Sequence, residues 1–424
     1  VLAVDRLLEI FLKRITRFGN FTIRTASGYT FGIGDGEGKP LTLSFASRSS
    51  QARLIRNPAL TLGELYMDRE IDIEGGDVYD VLLWALRNID AVDMSAVLRL
   101  ADRMRFLMRG FSQYNTTDRS RHNVSHHYDL DGRLYSLFLD PDMQYSCAYF
   151  ERPGDSLEAA QLAKKRHIAA KLCLEPSHDV LDIGCGWGGM GLYLADVCGA
   201  SVTGVTLSTE QLGVARKRAV NSGLDGRAQF RLQDYRAVEE RFDRVVSVGM
   251  LEHVGANYLD AYFAKVASVL KEDGVALIHT IGRPEGPGAT NPWIAKYIFP
   301  GGYIPALSEL TGSIERAGLL IGDIEVLRLH YADTLRHWRE RFMARRDEAE
   351  RLYDDRFCRM WEFYLAGSEA SFRLGQNVVF QLQLMKKVDA APVTRDYIAR
   401  REEELRARER ELAPGMEPMR LAGE

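Results

Sequence analysis

The stretch VLDIGCGWGGM, residues 180–190, decides the fold. Val180 to Ile183 read as a buried strand, and a helical pattern runs from Met190 to Val197. Between them stand Gly184, Gly186, Gly188 and Gly189. Glycines there let the backbone turn sharply from strand into helix and approach a ligand closely. Gly184-x-Gly186-x-x-Gly189 also matches the dinucleotide fingerprint, so the glycines alone do not choose between nucleoside cofactors. Two details do. Asp182 precedes the first glycine by two residues, where a carboxylate meets a cationic amino group, directly or through water. A dinucleotide site also calls for an acid roughly 20 residues further on, for the ribose, and VTGVTLS at 202–208 offers none. The loop suits S-adenosylmethionine better than NAD; the bland alternative is a glycine-rich turn without a ligand.

Outward from this loop, strand patterns at 180–183, 201–206, 228–233, 244–248 and 275–279 alternate with helical ones at 189–197, 209–222 and 258–270. The alternation predicts an α/β fold: a doubly wound, Rossmann-like sheet of parallel strands, of the type that serves S-adenosylmethionine-dependent methyltransferases. Ligands of such sheets lie at the carboxyl ends of the strands, and Asp182, Thr206, Asp234 and Glu252 fall at or just after such ends. Residues 1–115 differ in texture. A helix at 4–16, short strands at 21–25, 30–33 and 41–45, and helices at 50–56, 61–68, 78–88 and 90–110 predict a smaller N-terminal α+β domain. The catalytic domain is then 116–388, and 389–424 is a charged C-terminal tail, helical or disordered, whose role is solvation or a weak contact. At 282–306 the alternation stops in a Gly/Pro-rich segment that carries Trp293, Tyr297, Ile298, Phe299, Tyr303 and Ile304. It either covers the core as a flap or lines an apolar substrate cavity. Helices with an apolar stripe follow over 334–372.

The 424 residues suffice for two or three domains with their own cores, and a net charge of −4 argues against nucleic acid as the main partner. Five cysteines without a C-x-x-C pair build neither a disulfide framework nor a zinc knuckle, and the simplest compartment is the cytoplasm. No metal site is expected. The first residues lack a secretory pattern, and no run of about 18 uncharged apolar residues predicts a membrane span. RLADRMRFLMRGF, residues 99–111, sets Arg103, Arg105 and Arg109 among Met104, Phe106, Leu107, Met108 and Phe111. Such a helix either rests in the headgroup region of a membrane or packs on the catalytic core.

Polar groups cluster at the strand ends. Thr206, Leu207, Ser208 and Gln211 follow the second strand, where a ribose would lie; Ser208 also suits a helix N-cap. Asp234 and Tyr235 follow the third, placed to accept from an adenine amino group and to flank its ring. Glu252 and His253 follow the fourth strand and His279 to Gly282 the fifth, while Met143 to Phe150, with Cys147, precede the sheet. Taken singly, a lone Cys is a small buried hydrophobe and a His at a strand end a satisfied core residue. Their convergence on one rim with the cofactor loop is what points to chemistry.

Together these groups resemble the cyclopropane-fatty-acyl-phospholipid synthase family and its relatives, the mycolic acid cyclopropane synthases. The resemblance rests on His127-Tyr-Asp129, Leu139-Asp-Pro141, residues 143–149, 180–189, 204–208, 233–236, 246–254, 277–282 and 292–307, with Tyr364-Leu365 and Phe372-Arg373. It implies transfer of the S-adenosylmethionine methyl to a cis double bond of a phospholipid acyl chain, followed by loss of a proton from that methyl and ring closure. It implies a bicarbonate ion as base, held by Cys147, Glu252, His279, the backbone of Ile281, and Tyr364. It also implies cofactor contacts by Tyr145, Ser146, Gly184, Thr206, Leu207, Gln211, Tyr235 and Arg236, to which the residue reading adds Asp182, Gly186, Ser208 and Asp234. A homodimer working on the inner face of the membrane without spanning it is the expected form. Tyr149, Tyr297 or Tyr303 are candidates to stabilise a cation through their ring faces. One departure stands out: Ser368 occupies a position where family members commonly carry a cysteine, so no covalent thiol role is assigned there. The same scaffold also suits a fatty-acid methyltransferase that loses a different proton. An inactive lipid-binding protein is the alternative outside enzymes.

Overall fold

The computed structural model describes residues 2–89 and 132–412, which fall into two compact units. The helix expected at 90–110, the basic 99–111 segment, His127-Tyr-Asp129 and the last twelve residues lie outside the described residues.

The first unit gathers the N-terminal segment with residues 289–300 and 335–376, so it is not continuous in sequence. Its four-stranded sheet has strands β1 (Asn20–Arg24), β2 (Thr30–Ile33), β3 (Pro40–Phe45) and β4 (Ile71–Glu74) in the order β2-β1-β3-β4. Three of these match the sequence pattern; β4, only four residues long, was not expected. The long helix Asp355–Arg373 packs on Pro58–Met67 and Val78–Ile89. Tyr66 donates to Glu362 (2.7 Å) and the Arg69 guanidinium grips Asp355 through two 2.9 Å bonds. The short helix Pro292–Tyr297 seats Trp293, 1% exposed, against Gly63, where a Cβ would come within 2.4 Å of the indole nitrogen. Trp293 is therefore core, which favours the covering role for this part of the 282–306 segment.

The second unit holds the sheet that the glycine loop announces. Its strands are β5 (Asp179–Ile183), β6 (Ser201–Thr206), β7 (Ala228–Leu232), β8 (Phe242–Val248), β9 (Leu270–Gly282), β10 (Leu320–Leu327) and β11 (Val378–Met385), in the order β10-β11-β9-β8-β5-β6-β7. The five expected strands pair in parallel. Two unexpected ones add an antiparallel edge, β11 on β9 and β10 on β11. Alternate residues of a strand face opposite sides. Val180, Val202, Val246 and Leu277 face the helices Leu157–Lys171 and Gly189–Asp196, while Leu181, Val245, Ala276 and Ile278 face Leu259–Val269 and Leu307–Arg316.

The charged C-terminal segment is a docked helix, Asp396–Leu412, rather than a solvated tail. It buries Tyr397, Ile398 and Leu405, and Glu409 binds the Arg166 guanidinium (2.8 and 3.0 Å) and the Tyr193 hydroxyl (2.7 Å).

Gly188 and Gly186 both have φ in the left-handed region, +84° and +54°. A Cβ on Gly188 would also come within 2.9 Å of Ala215 Cβ, whereas one on Gly186 meets nothing within 4 Å. Gly188→Ala is therefore expected to cost about 1–3 kcal/mol more than Gly186→Ala, because only it adds overpacking to the backbone strain. Denaturant midpoints of the two variants check this.

Candidate functional site

A cavity opens at the carboxyl ends of β5, β6 and β8, where the strand order reverses direction and ligands of such sheets bind. Its floor is the glycine loop. Gly184 has φ +78°, and a Cβ there would meet Met250 Cγ at 2.9 Å, so backbone and cavity approach where no side chain fits. Tyr145, Ser146, Asp182, Gly184, Gly186, Thr206, Leu207, Gln211, Asp234, Tyr235 and Arg236 all line this cavity. Ser208 does not. It is 3% exposed and caps the helix Thr209–Asn221, its Oγ accepting from the Gln211 N–H (3.2 Å).

Each lining group has a local cause. Thr206 Oγ1 donates to Gln211 Oε1 (3.3 Å) and accepts from the Ser208 N–H (3.2 Å), so the polar groups after β6 are set by one helix start. Asp234 accepts from the Arg236 backbone (2.9 Å) and from its guanidinium (2.9 and 2.6 Å), which fixes both side chains. Tyr235 packs edge-on against Tyr262. Asp182 is buried at the end of β5, and its Oδ2 has no protein partner. Burial pushes its carboxyl up to about 7. An orphaned buried acceptor beside a glycine cradle fits a ligand with a cationic amino group, as S-adenosylmethionine has.

Glu252, His279 and Cys147 lie in the same unit, outside the lining of this cavity. Glu252 sits on the 3₁₀ turn Leu251–His253, whose Glu252 carbonyl accepts from the Tyr303 N–H (2.9 Å). Glu252 Oε1 accepts from the Ile281 N–H (2.6 Å), while Oε2 is buried without a partner; burial pushes this carboxyl, too, up to about 7. His279, on β9 and 2% exposed, is held well below the ordinary imidazole range by burial. Cys147 is buried, its Sγ donates to the Ala148 carbonyl (3.2 Å), and burial pushes its thiol up, which makes it a neutral donor and not a thiolate. Tyr364 belongs to the first unit, on the helix Asp355–Arg373, where it packs edge-on against Phe299 and Trp361.

Tyr149 does not present a free ring face. His167 stacks on it at 4.2 Å and His330 at 4.8 Å, so a cation-stabilising role is closed to it. Four residues within the motifs already named, to which the sequence assigns no role, also reach the site. Gln144, Trp187, Met250 and His253 line the cavity. Lys164 is fully buried, donates to Gln144 Oε1 (2.6 Å) and Ser146 Oγ (2.8 Å), and is lowered to about 8 by burial. A lysine in a helical run gives no sequence signal of burial. No group of His, Cys, Asp and Glu suited to a metal ion occurs among the described residues.

A doubly wound sheet with a glycine loop, a polar rim at the strand ends and an orphaned acid defines a Rossmann-like, S-adenosylmethionine-dependent methyltransferase fold. The family model described as mycolic acid cyclopropane synthetase matches residues 115–382, and the chain belongs to that family. A second model, described as a domain of unknown function, matches residues 8–95. The chain is 40% identical over 341 residues to the cyclopropane-fatty-acyl-phospholipid synthase of Escherichia coli K12, covering 80% of this chain and 86% of that one. It is 36% identical to a probable fatty acid methyltransferase of Pseudomonas putida, covering 77% and 82%. The solved structure of mycolic acid cyclopropane synthase CmaA1 complexed with SAH and CTAB superposes with a TM-score of 0.59 at 33% identity, covering 62% of this chain and 97% of that one.

The two raised carboxyls tie stability to pH. Between the ordinary carboxylate range and about 7 the folded chain holds protons at Asp182 and Glu252 that the unfolded chain has lost. Their contribution is thus fully present in acid and is lost as pH rises toward 7. Asp182→Asn and Glu252→Gln should each lose less stability than the wild type between about pH 5 and 8. Denaturant melts at the two pH values check this; parallel losses in all three proteins would contradict it.

Proposed function

We propose that this chain is a cyclopropane-fatty-acyl-phospholipid synthase that adds a methylene across a cis double bond of an unsaturated phospholipid acyl chain. The observation that carries this reading is the likeness to the Escherichia coli enzyme along most of both chains. Bound S-adenosylmethionine would supply an electrophilic methyl group. Asp182, Thr206, Gln211, Tyr235 and Arg236, with Tyr145, Ser146 and the glycine loop, would hold it.

The chain's own residues then have defined tasks. An olefin is a weak nucleophile, so the site must align it and keep out water, which would quench the carbocation formed when the olefin takes the methyl. A C–H bond of that methyl must then break, its electron pair closing the ring and its proton passing to a base. Bicarbonate fits that task. Cys147 offers a neutral thiol, whose hydrogen would turn from the Ala148 carbonyl to the anion, and Glu252, whose carboxyl burial pushes up to about 7, offers a donor when protonated. We assign His279 to the same anion, and the Ile281 N–H orients the Glu252 carboxyl (2.6 Å) for it.

The substrate belongs to a bilayer, so we place the enzyme, as a homodimer, peripherally on the cytoplasmic face of a membrane. Among the described residues no helix is long and apolar enough to cross one. The Pseudomonas putida relative's name supports a second reading, a fatty-acid methyltransferase in which the cation loses a different proton.

Incubation with unsaturated phosphatidylethanolamine vesicles and methyl-labelled cofactor should give labelled lipid with the olefin consumed; unlabelled lipid would contradict the proposal. Glu252→Gln and His279→Ala should lower turnover about 10²–10³-fold with cofactor affinity nearly intact. Equal losses in cofactor affinity would contradict their assigned place. In carbonate-depleted buffer added bicarbonate should stimulate the wild type, and an enzyme indifferent to it would exclude bicarbonate as the base.

A further inference from the structure

His279 lies directly opposite Gln381 across the β9–β11 pair, and both side chains point to the face covered by the helix Leu157–Lys171. Lys171, 1% exposed at the end of that helix, donates through Nζ to Gln381 Oε1 (2.9 Å). Gln381, fully buried, brings its Nε2 to His279 Nδ1 at 3.2 Å. The chain continues behind Lys171. Its ammonium pairs with Glu325, which also meets His167 Nε2 (2.7 Å), and His167 Nδ1 meets Glu402 (2.6 Å) on the docked C-terminal helix.

This order of atoms fixes which nitrogen of His279 carries the proton. A lysine ammonium donates only, so the group of Gln381 that faces it is the carbonyl oxygen. The amide NH₂ then faces His279, and it too only donates. Nδ1 must accept. A neutral imidazole whose Nδ1 accepts bears its hydrogen on Nε2. The imidazolium would set Nδ1–H against N–H, and burial independently disfavours that charge. Burial lowers the Lys171 ammonium, and Glu325, itself held well below the usual carboxylate range by His167 and Lys171, opposes that shift and keeps Lys171 a donor.

We propose that Lys171 and Gln381 are positioning residues that lock His279 as its Nε2–H tautomer, making it a hydrogen-bond donor to the reaction's base and never the base itself. The donor's target rests on the proposed function; the tautomer does not. Two elements that carry no cofactor contact, the end of one helix and the antiparallel strand β11, thereby set the chemistry of a residue on β9.

The test is ¹⁵N NMR of the full chain with imidazole-labelled histidine, with the His279 signals identified by their loss in His279→Gln. The wild type should show a protonated Nε2 and an unprotonated Nδ1. Gln381→Glu keeps the shape but replaces the NH₂ by an acceptor, so Nδ1 should become protonated. Turnover on phospholipid vesicles should then fall about 100-fold at unchanged cofactor affinity. Lys171→Arg, which keeps a cationic donor, should retain the wild-type tautomer, and Lys171→Met should not. A wild-type Nδ1–H, or a folded Gln381→Glu with the wild-type tautomer, would overturn the proposal. The wild-type spectrum decides it even where a variant fails to fold. A changed tautomer with full turnover would overturn the donor role. The stated tautomer in a wild type that forms no cyclopropane would sustain the lock while removing the proposed reaction.

Discussion

The burial of the polar side of the helix Leu157–Lys171 against the sheet is the interaction on which the rest of the second unit depends. Gln161 donates to the carbonyls of Gln144 and Ser146 (3.3 and 3.0 Å), and Lys164 reaches the side chains of the same two residues. Lys165 pairs with Asp142, Arg166 and His167 hold the C-terminal helix, and Lys171 holds Gln381. Buried cations are costly unless every hydrogen finds an acceptor, and the penalty for an unpaired one is several kcal/mol. The helix therefore docks in one register only. That register sets the segment carrying Tyr145, Ser146 and Cys147, and reaches His279 through Gln381.

The same burial explains the electrostatics of the site. Asp182 and Glu252 are each left with one buried oxygen lacking a protein partner, and both carboxyls titrate near neutrality. Buried acceptors without a protein partner are expensive in the free protein, which is the usual signature of groups meant for a ligand. Neutral Cys147 and neutral His279 add polarity without charge. A site so composed suits chemistry in which a carbocation must outlive its exposure to nucleophiles, since it offers fixed dipoles in place of water.

Much of this was legible in the sequence. The glycine loop, the five parallel strands and the cavity residues at their ends follow from short-range patterns: alternation, punctuation by glycine, and the position of polar residues after apolar runs. What escaped is long-range. Strand β11, VVFQLQLM, is buried at all eight positions, and its two glutamines look like solvent-facing residues until Lys171 and His279 are seen beside them. LEAAQLAKKRHIAAK carries no apolar stripe that would mark a buried helix, because its polar residues are themselves the packed face. The return of residues 289–300 and 335–376 to the N-terminal segment is likewise set by tertiary contacts such as Trp293 on Gly63, which no local pattern encodes. The charges of 396–412 suggested solvation or a weak contact, yet Glu409 and Glu402 pair with the arginine and histidine of another, buried helix.

The fate of the transferred methyl's hydrogens tests the central claim most directly. With a trideuteriomethyl cofactor and a monounsaturated phospholipid, deprotonation of the new methyl followed by ring closure predicts a cyclopropane whose ring methylene retains two deuterium atoms. A branched product retaining all three would place the departing proton on the acyl chain, and would contradict a base set against the methyl.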